Sequence, residues 1–299
     1  MFKSSEVERR REEAALALES TTEIPLRRDA LADRLNRFPW WFVALVVIMI
    51  TAYVIIFTNP NFTQALSFII AGLRFTIITA LTSYGIALCF GLLAGLGRIS
   101  GSPFFNNLAT LYVEIVRGIP MLVLIFFIAF VGVPAVMGAL NAFGNLLLDQ
   151  GIRLGAPLAR LNNQSVSMSV RAIIALAVAY GAFLAEVFRA GIQSIGRGQM
   201  EAARSLGMSY AQAMRYVILP QAIRNVLPAL GNEFVAMVKD TSLVSVLAVR
   251  DITQIARLYA GRTFRFPEAY MTLAVLYLTL TVVLSLFVRL LERRMRTDG

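Results

Sequence analysis

Apolar residues in this chain neither alternate nor keep to one helical face. They run almost uninterrupted for lengths that match a bilayer. Six such runs predict spans at 40–57, 66–96 (apolar from Phe75 onward), 108–136, 170–188, 226–249 and 270–291. A spanning helix needs about 17 to 25 residues. Only closed hydrogen-bonded structures survive in hydrocarbon, and runs this long read as helices. The pattern therefore predicts an all-α membrane protein with about six transmembrane helices. Composition agrees: 58% of residues are hydrophobic and 15% are charged, and mean hydropathy is +0.69. A soluble domain carries about 25% charged residues.

Basic residues set the expected orientation, because cytoplasmic segments are enriched in Lys and Arg. Lys3, Arg9, Arg10, Arg11, Arg27, Arg28, Arg34 and Arg37 precede the first run, and the short segment 58–65 has none. Both termini are then cytoplasmic, with Arg289, Arg293, Arg294 and Arg296 in agreement at the far end. One loop dissents: Arg250, Arg257, Arg262 and Arg265 fall outside. The first 38 residues mix acidic and basic side chains and read as a solvated cytoplasmic tail, not a cleavable signal.

The net charge of +10 is not a nucleic-acid signature. The basic residues cluster beside apolar spans, where orientation and anionic lipid account for them. With no histidine and a single cysteine, Cys89, no metal site or other cofactor is expected. No stretch matches a phosphate-binding loop of the G-x-x-x-x-G-K-[ST] type, so the chain should not bind ATP itself. Neither a nucleophile elbow nor a histidine triad is present, so it is not read as an enzyme.

Charges inside the spans are candidates for function, since they are costly there. Glu114 and Arg117 are spaced to pair on one helical face, as are Glu186 and Arg189; both pairs are read first as structural ion pairs holding helices together. The fifth run, "GNEFVAMVKDTSLVSVLAV", is different. Glu233, Met237 and Asp240 share a face, Lys239 stands beside it, and Thr241 and Ser242 follow. This predicts a wet or protein-lined surface along a substrate pathway. Pairing of Lys239 with Asp240 or Glu233 is the structural alternative.

Between the fourth and fifth runs lies "GQMEAARSLGMSYAQAMRYVILP", too charged to cross a bilayer. Glu201 suits the positive end of a helix, and Ala202, Ala203 and Leu206 propagate it. Gly207 suits its stop, and Ser209 suits the cap of a second helix. Pro220 is expected to bend the chain back to the membrane. A helix, a turn and a second helix held below the bilayer form an element shaped to dock into a groove on another protein.

The spacing E-A-A-x3-G-x9-V-x-L-P resembles the EAA loop of ABC-importer permeases, with Val217 in place of isoleucine. The stretches "RGIPML", "GQMEAARSLG", "LPQAIRN" and "KDTSL" extend the likeness over residues 66–296 to polar amino-acid permeases of the histidine/glutamine type. The resemblance implies a five-helix permease core with a cytoplasmic coupling helix, and an EAA loop at 196–225 in which Glu201, Ala202, Ala203, Leu206 and Gly207 contact an ATPase. It also implies the partners: two ABC ATPase subunits, a second permease subunit as homo- or heterodimer, and a periplasmic amino-acid-binding protein at a bacterial inner membrane. That family typically has five spans with its N-terminus outside. Here 39–58 adds one helix and brings the N-terminus inside. The stretch 137–169 is longer than the family implies and is expected as an external loop, facing a binding protein or packing on the membrane surface. A secondary transporter would need inverted repeats with broken helices, and none is found. A channel-like subunit uncoupled from any ATPase would leave the EAA helix dispensable.

Overall fold

The computed structural model describes residues 40–296, so the charged tail 1–38 lies outside the described residues. Among the described residues there are helices and turns and no strand. Contacts divide the chain into two units, Met1–Ala52 and Tyr53–Gly299. The first contributes the beginning of helix α1 (Trp40–Thr58). The second holds α2 (Pro60–Ile69), α3 (Leu73–Ile99), α4 (Pro103–Gly118), α5 (Met121–Asp149), α6 (Met168–Gln193), α7 (Arg197–Ser205), α8 (Tyr210–Ala213), α9 (Leu219–Asp240), α10 (Ile252–Thr263) and α11 (Phe266–Arg296).

Among the described residues five helical segments are long and apolar enough to cross a membrane: Trp40–Thr58, Pro60–Ile99, Met121–Asp149, Met168–Gln193 and Phe266–Arg294. The remaining expected span corresponds to α9, whose Arg224, Glu233, Lys239 and Asp240 lower its apolarity.

The centre of the second unit is α3 packed along α6, the most extensive helix pair in the fold. Ala172, Ala175, Ala179, Ala182 and Ala185 are buried on α6. Ala185 and its neighbours meet the glycine face of α3, where a Cβ on Gly91 would stand 2.5 Å from Leu184 Cβ and one on Gly95 2.9 Å from the Ala185 carbonyl oxygen. Between membrane helices close packing of small residues replaces the hydrophobic driving force, so backbone proximity holds this pair together.

The third span is not the 108–136 run. The helix breaks at Ile119–Pro120, and α5 starts afresh at Met121. Proline lacks an amide proton and disfavours helical conformation in the residue before it. Both ends of α4 are tied to the ends of α3 and α6: Asn106 Nδ2 donates to the Arg98 carbonyl at 2.6 Å, and Arg117 lies 3.5 Å from Glu186. Residues 108–118 therefore lie across the ends of those helices, and α5 makes the crossing. As a consequence 137–149 belongs to α5, and the expected external loop shrinks to 150–167. Its short helical turns fold back on α5, where Asn141 Nδ2 donates to the Ala159 and Leu161 carbonyls at 2.5 and 2.9 Å.

The expected bend at Pro220 is also absent. From Tyr210 the helix continues through a π-helical turn at Met214–Ile218 directly into α9. Pro220 directly follows the π-helical turn, and that local change of hydrogen-bonding pattern accommodates the missing donor. The run ends earlier than 226–249 implied, because the α-helix gives way at Thr241–Leu247 to a 3-10 helix closed by Ala248 in the left-handed conformation.

Candidate coupling loop and transport pathway

The segment after α6 folds as a short helix and a sharp stop. At the end of α7, Gly207 N–H donates to the Arg204 carbonyl at 3.0 Å, and Met208 N–H to Ala203 at 3.2 Å. This is a Schellman termination, whose turning residue needs positive φ. Gly207 has φ +83°. Ser209 then caps α8: its hydroxyl accepts from Gln212 N–H at 3.2 Å, and Gln212 Oε1 accepts from Ser209 N–H at 2.8 Å. Ala203 is buried on the inner face of α7, while Glu201, Ala202 and Gly207 are exposed. Leu206 is 81% exposed, with Tyr210 and Tyr216 also uncovered nearby in sequence. A large apolar side chain held out at a rigid turn is suited to insertion into another surface.

The polar face of α9 turns toward α3 and α6. Glu233 and Asp240 are half-buried, and Met237 is fully buried with Ala87, Tyr180 and Leu184. Tyr180 donates its hydroxyl proton to Asp240 Oδ2 at 2.7 Å. Tyr84 donates to the Leu230 carbonyl at 2.6 Å and its ring meets Phe234 at 5.0 Å. Thr241 is buried and donates to the Val238 carbonyl at 2.7 Å, while Ser242 is half-buried. Lys239 is exposed on another side of the helix. No ion pair joins it to Asp240 or Glu233 among the described residues.

Residues 87–297 match the family described as the binding-protein-dependent transport system inner membrane component. The chain belongs to this family. It is 34% identical to the glutamine transport system permease protein of Escherichia coli (strain K12) over 232 residues, covering 78% of this chain and 94% of that protein. It is 38% identical to a probable glutamine ABC transporter permease protein of Bacillus subtilis (strain 168) over 224 residues, 75% and 91% of the two chains. A crystal structure of an amino acid ABC transporter with histidines matches with TM-score 0.64 and 36% identity, covering 78% of this chain and 96% of that one.

In this binding-protein-dependent permease the four charges singled out on α4 and α6 join one network with Arg98: the expected Glu186–Arg189 pair forms, and among the described residues the expected Glu114–Arg117 pair does not. Glu186 is its hub, meeting Arg98, Arg117 at 3.5 Å and Arg189 at 2.8 Å. Glu114 meets Arg98 at 3.7 Å, not Arg117. The geometric reason is that Arg98, at the end of α3, lies closer to both carboxylates than the i+3 partner does to Glu114. The guanidinium of Arg117 also stands over the Phe183 ring, 5.6 Å from its centroid. The hub borders a cavity of about 870 Å³ between α6 and α9, lined also by Ser194, Arg224, Asn225 and Glu292.

Sequence reasoning missed four contributors to this permease. Arg98 was legible as a charge at a span end, but its partners depend on α3–α6 packing. Tyr180 and Tyr84 carried no signal, being aromatic residues in apolar runs. Arg171 was visible as an arginine inside the fourth run. It is buried, has no carboxylate partner among the described residues, and donates to the Val166 carbonyl at 3.0 Å, the Ala129 carbonyl at 2.8 Å and Asn163 Oδ1 at 2.6 Å. Ala129 lies in the π-helical turn Ile128–Gly132 of α5, so Arg171 ties the 150–167 loop to that irregularity.

Proposed function

We propose that this chain is the membrane-spanning subunit of an ATP-driven importer for a polar amino acid. The observation that carries the coupling reading is the fixed turn at Gly207, which holds Leu206 outward beyond a helix packed on Ala203. Two ATPase subunits bind this element, and closure on ATP moves α7 together with the helix that continues into α9. A second permease subunit, identical or a sibling, completes the pathway. A periplasmic binding protein delivers the amino acid. ATP hydrolysis belongs to the partner subunits.

In this reading the tail 1–38 is cytoplasmic, 39–58 is an added transmembrane helix, and 66–296 is the permease domain with its coupling loop at 196–225. Both termini face the cytoplasm of a bacterial inner membrane. The relatives' names supply the substrate class: a glutamine permease, a probable glutamine permease and an amino acid transporter. Glu233 and Asp240 offer carboxylates to an ammonium or a cationic side chain, with Ser242 beside them. Met237 and Thr241 support that face from behind, and half-exposed Arg117 offers a cation from α4.

Co-purification in mild detergent tests this. The chain should bring down an ABC ATPase, and Leu206→Glu should release it while the permease remains folded. Recovery of the same ATPase with Leu206→Glu would overturn the docking role.

A further inference from the structure

At the end of the bundle away from the coupling loop, α2 and α10 wall a groove of about 370 Å³. α2 leads into α3, and α10 joins the end of the α9 span to α11, so the groove lies where spans begin and end. Arg250, Arg262 and Gln64 line it together with Phe68, Leu258 and Tyr259, and no carboxylate is among its lining residues. Arg250 and Arg262 are exposed, and neither has an ion-pair partner among the described residues. Arg265 donates to Gln64 Oε1 at 2.8 Å, which leaves the amide nitrogen of Gln64 to donate elsewhere. Tyr259 is 4% exposed, and its buried hydroxyl has no hydrogen-bond partner.

The groove thus combines two uncompensated guanidiniums, spare neutral donors and apolar walls. Arg262 has a simple structural reason to be there, as a cation in the last turn of α10 offsets the helix dipole. Arg250 precedes the helix and has no such reason. We propose that the groove binds the phosphate headgroup of an anionic phospholipid, Arg250 and Arg262 holding the phosphate and Phe68 and Leu258 lying against the chains. Guanidinium is the side chain best matched to phosphate oxygens, and basic pockets between membrane helices take such headgroups. A flat acidic protein surface would satisfy the arginines but would leave the apolar walls of the groove unfilled. The same lipid gives Arg250 and Arg262, two of the four arginines on this loop, a reason to stand there against the orientation rule.

The test is native mass spectrometry of the full-length chain released from nanodiscs of equal parts phosphatidylglycerol and phosphatidylcholine. The wild type should retain phosphatidylglycerol preferentially, and the preference should fall as salt is raised. Arg250→Gln with Arg262→Gln should reduce it by roughly fivefold for each arginine removed, with phosphatidylcholine retention unchanged. Arg257→Gln, which alters an exposed arginine of α10 outside the groove lining, should leave it intact. An undiminished preference in the double variant, an equal loss in Arg257→Gln, or a wild-type preference insensitive to salt overturns the proposal; the last needs no variant to fold. A double variant that keeps its phosphatidylglycerol but loses stimulation by a soluble binding protein would make the groove a protein-docking face and likewise overturn it.

Discussion

Tyr180 and Asp240 are joined across two helices by a 2.7 Å hydrogen bond in which the phenol donates to the carboxylate. Tyr180 comes from the apolar middle of α6, and Asp240 closes α9. The bond fixes where one of two carboxylates on the α9 face points, and leaves Glu233, seven residues earlier, without an ion-pair partner among the described residues.

The first prediction concerns that difference. A carboxylate facing a buried ammonium or guanidinium makes charge-assisted hydrogen bonds of roughly 1.5 to 3 kcal/mol. Glu233→Gln should therefore raise, by about tenfold or more, the concentration of a cationic amino acid needed to stimulate ATP hydrolysis in the reconstituted complex. Thermal stability should be little changed. An unchanged substrate profile with a lowered melting temperature would assign Glu233 to the scaffold. Tyr180→Phe should instead lower stability, by about 1 to 3 kcal/mol, because it leaves a half-buried acceptor without its donor.

The second concerns the turn below the membrane. Gly207 has φ +83°, and a Cβ built there meets nothing within 4 Å. The penalty of a side chain is purely conformational. Gly207→Val should cost on the order of 1 kcal/mol or more in backbone strain and misdirect Leu206. Uptake in whole cells should drop sharply with the protein still inserted at wild-type level. Normal uptake at equal protein level would remove the turn from the coupling mechanism.

Glu186 supports the third. Its side chain is 20% exposed and that of Arg98 14% exposed, so solvent does little to compensate either when the other is lost. Glu186→Gln leaves three arginines gathered around a neutral amide. This network is partly buried, so removing one partner should cost less than the roughly 3 to 5 kcal/mol of a fully buried pair, about 1 to 3 kcal/mol. Thermal denaturation in detergent should show it, and Arg98→Gln combined with Glu186→Gln should lose less than the sum of the two single variants. Strict additivity would mean the two do not act together.

The fourth is a pH dependence. Asp251 is fully buried and caps α10, accepting from Gln254 N–H at 2.9 Å and Thr253 N–H at 3.2 Å. Burial pushes its carboxyl from 3.8 up to about 6, with the backbone hydrogen bonds pulling the other way. A folded value above the unfolded one favours the protonated folded form. Its stabilisation is complete below about pH 4 and disappears as pH rises through about 6, amounting to about 3 kcal/mol at most. Asp251→Asn should flatten that part of the stability profile between pH 4 and 6. An identical slope in wild type and variant would place the titration on another group.

The apolar run lengths, read along the chain, foretold the helical class and most of the crossings. The turn at Gly207 was equally legible, because a Schellman stop and a serine cap depend on a few neighbouring residues, here Gly207, Ser209 and Gln212. The break at Pro120 had a local signal too, since proline restrains the residue before it. Unbroken hydropathy on either side concealed it and moved the third span. Pro220 carried the same signal with another outcome, because the π-helical turn just before it accommodates the missing donor and the helix runs on.

The partners of the charges depended on the fold. Spacing put Glu114 within reach of Arg117, yet Arg98, sixteen residues earlier, took it when α4 lay across the end of α3. Periodicity set Glu233, Met237 and Asp240 on one face, and only the arrival of α6 made Met237 core and gave Asp240 a tyrosine. Span length and turn chemistry are properties of adjacent residues and the solvent around them, so sequence determines them. Ion-pair choice and burial depend on distances between helices, and these were set by Gly91 and Gly95 letting α3 and α6 approach until the backbones nearly touch.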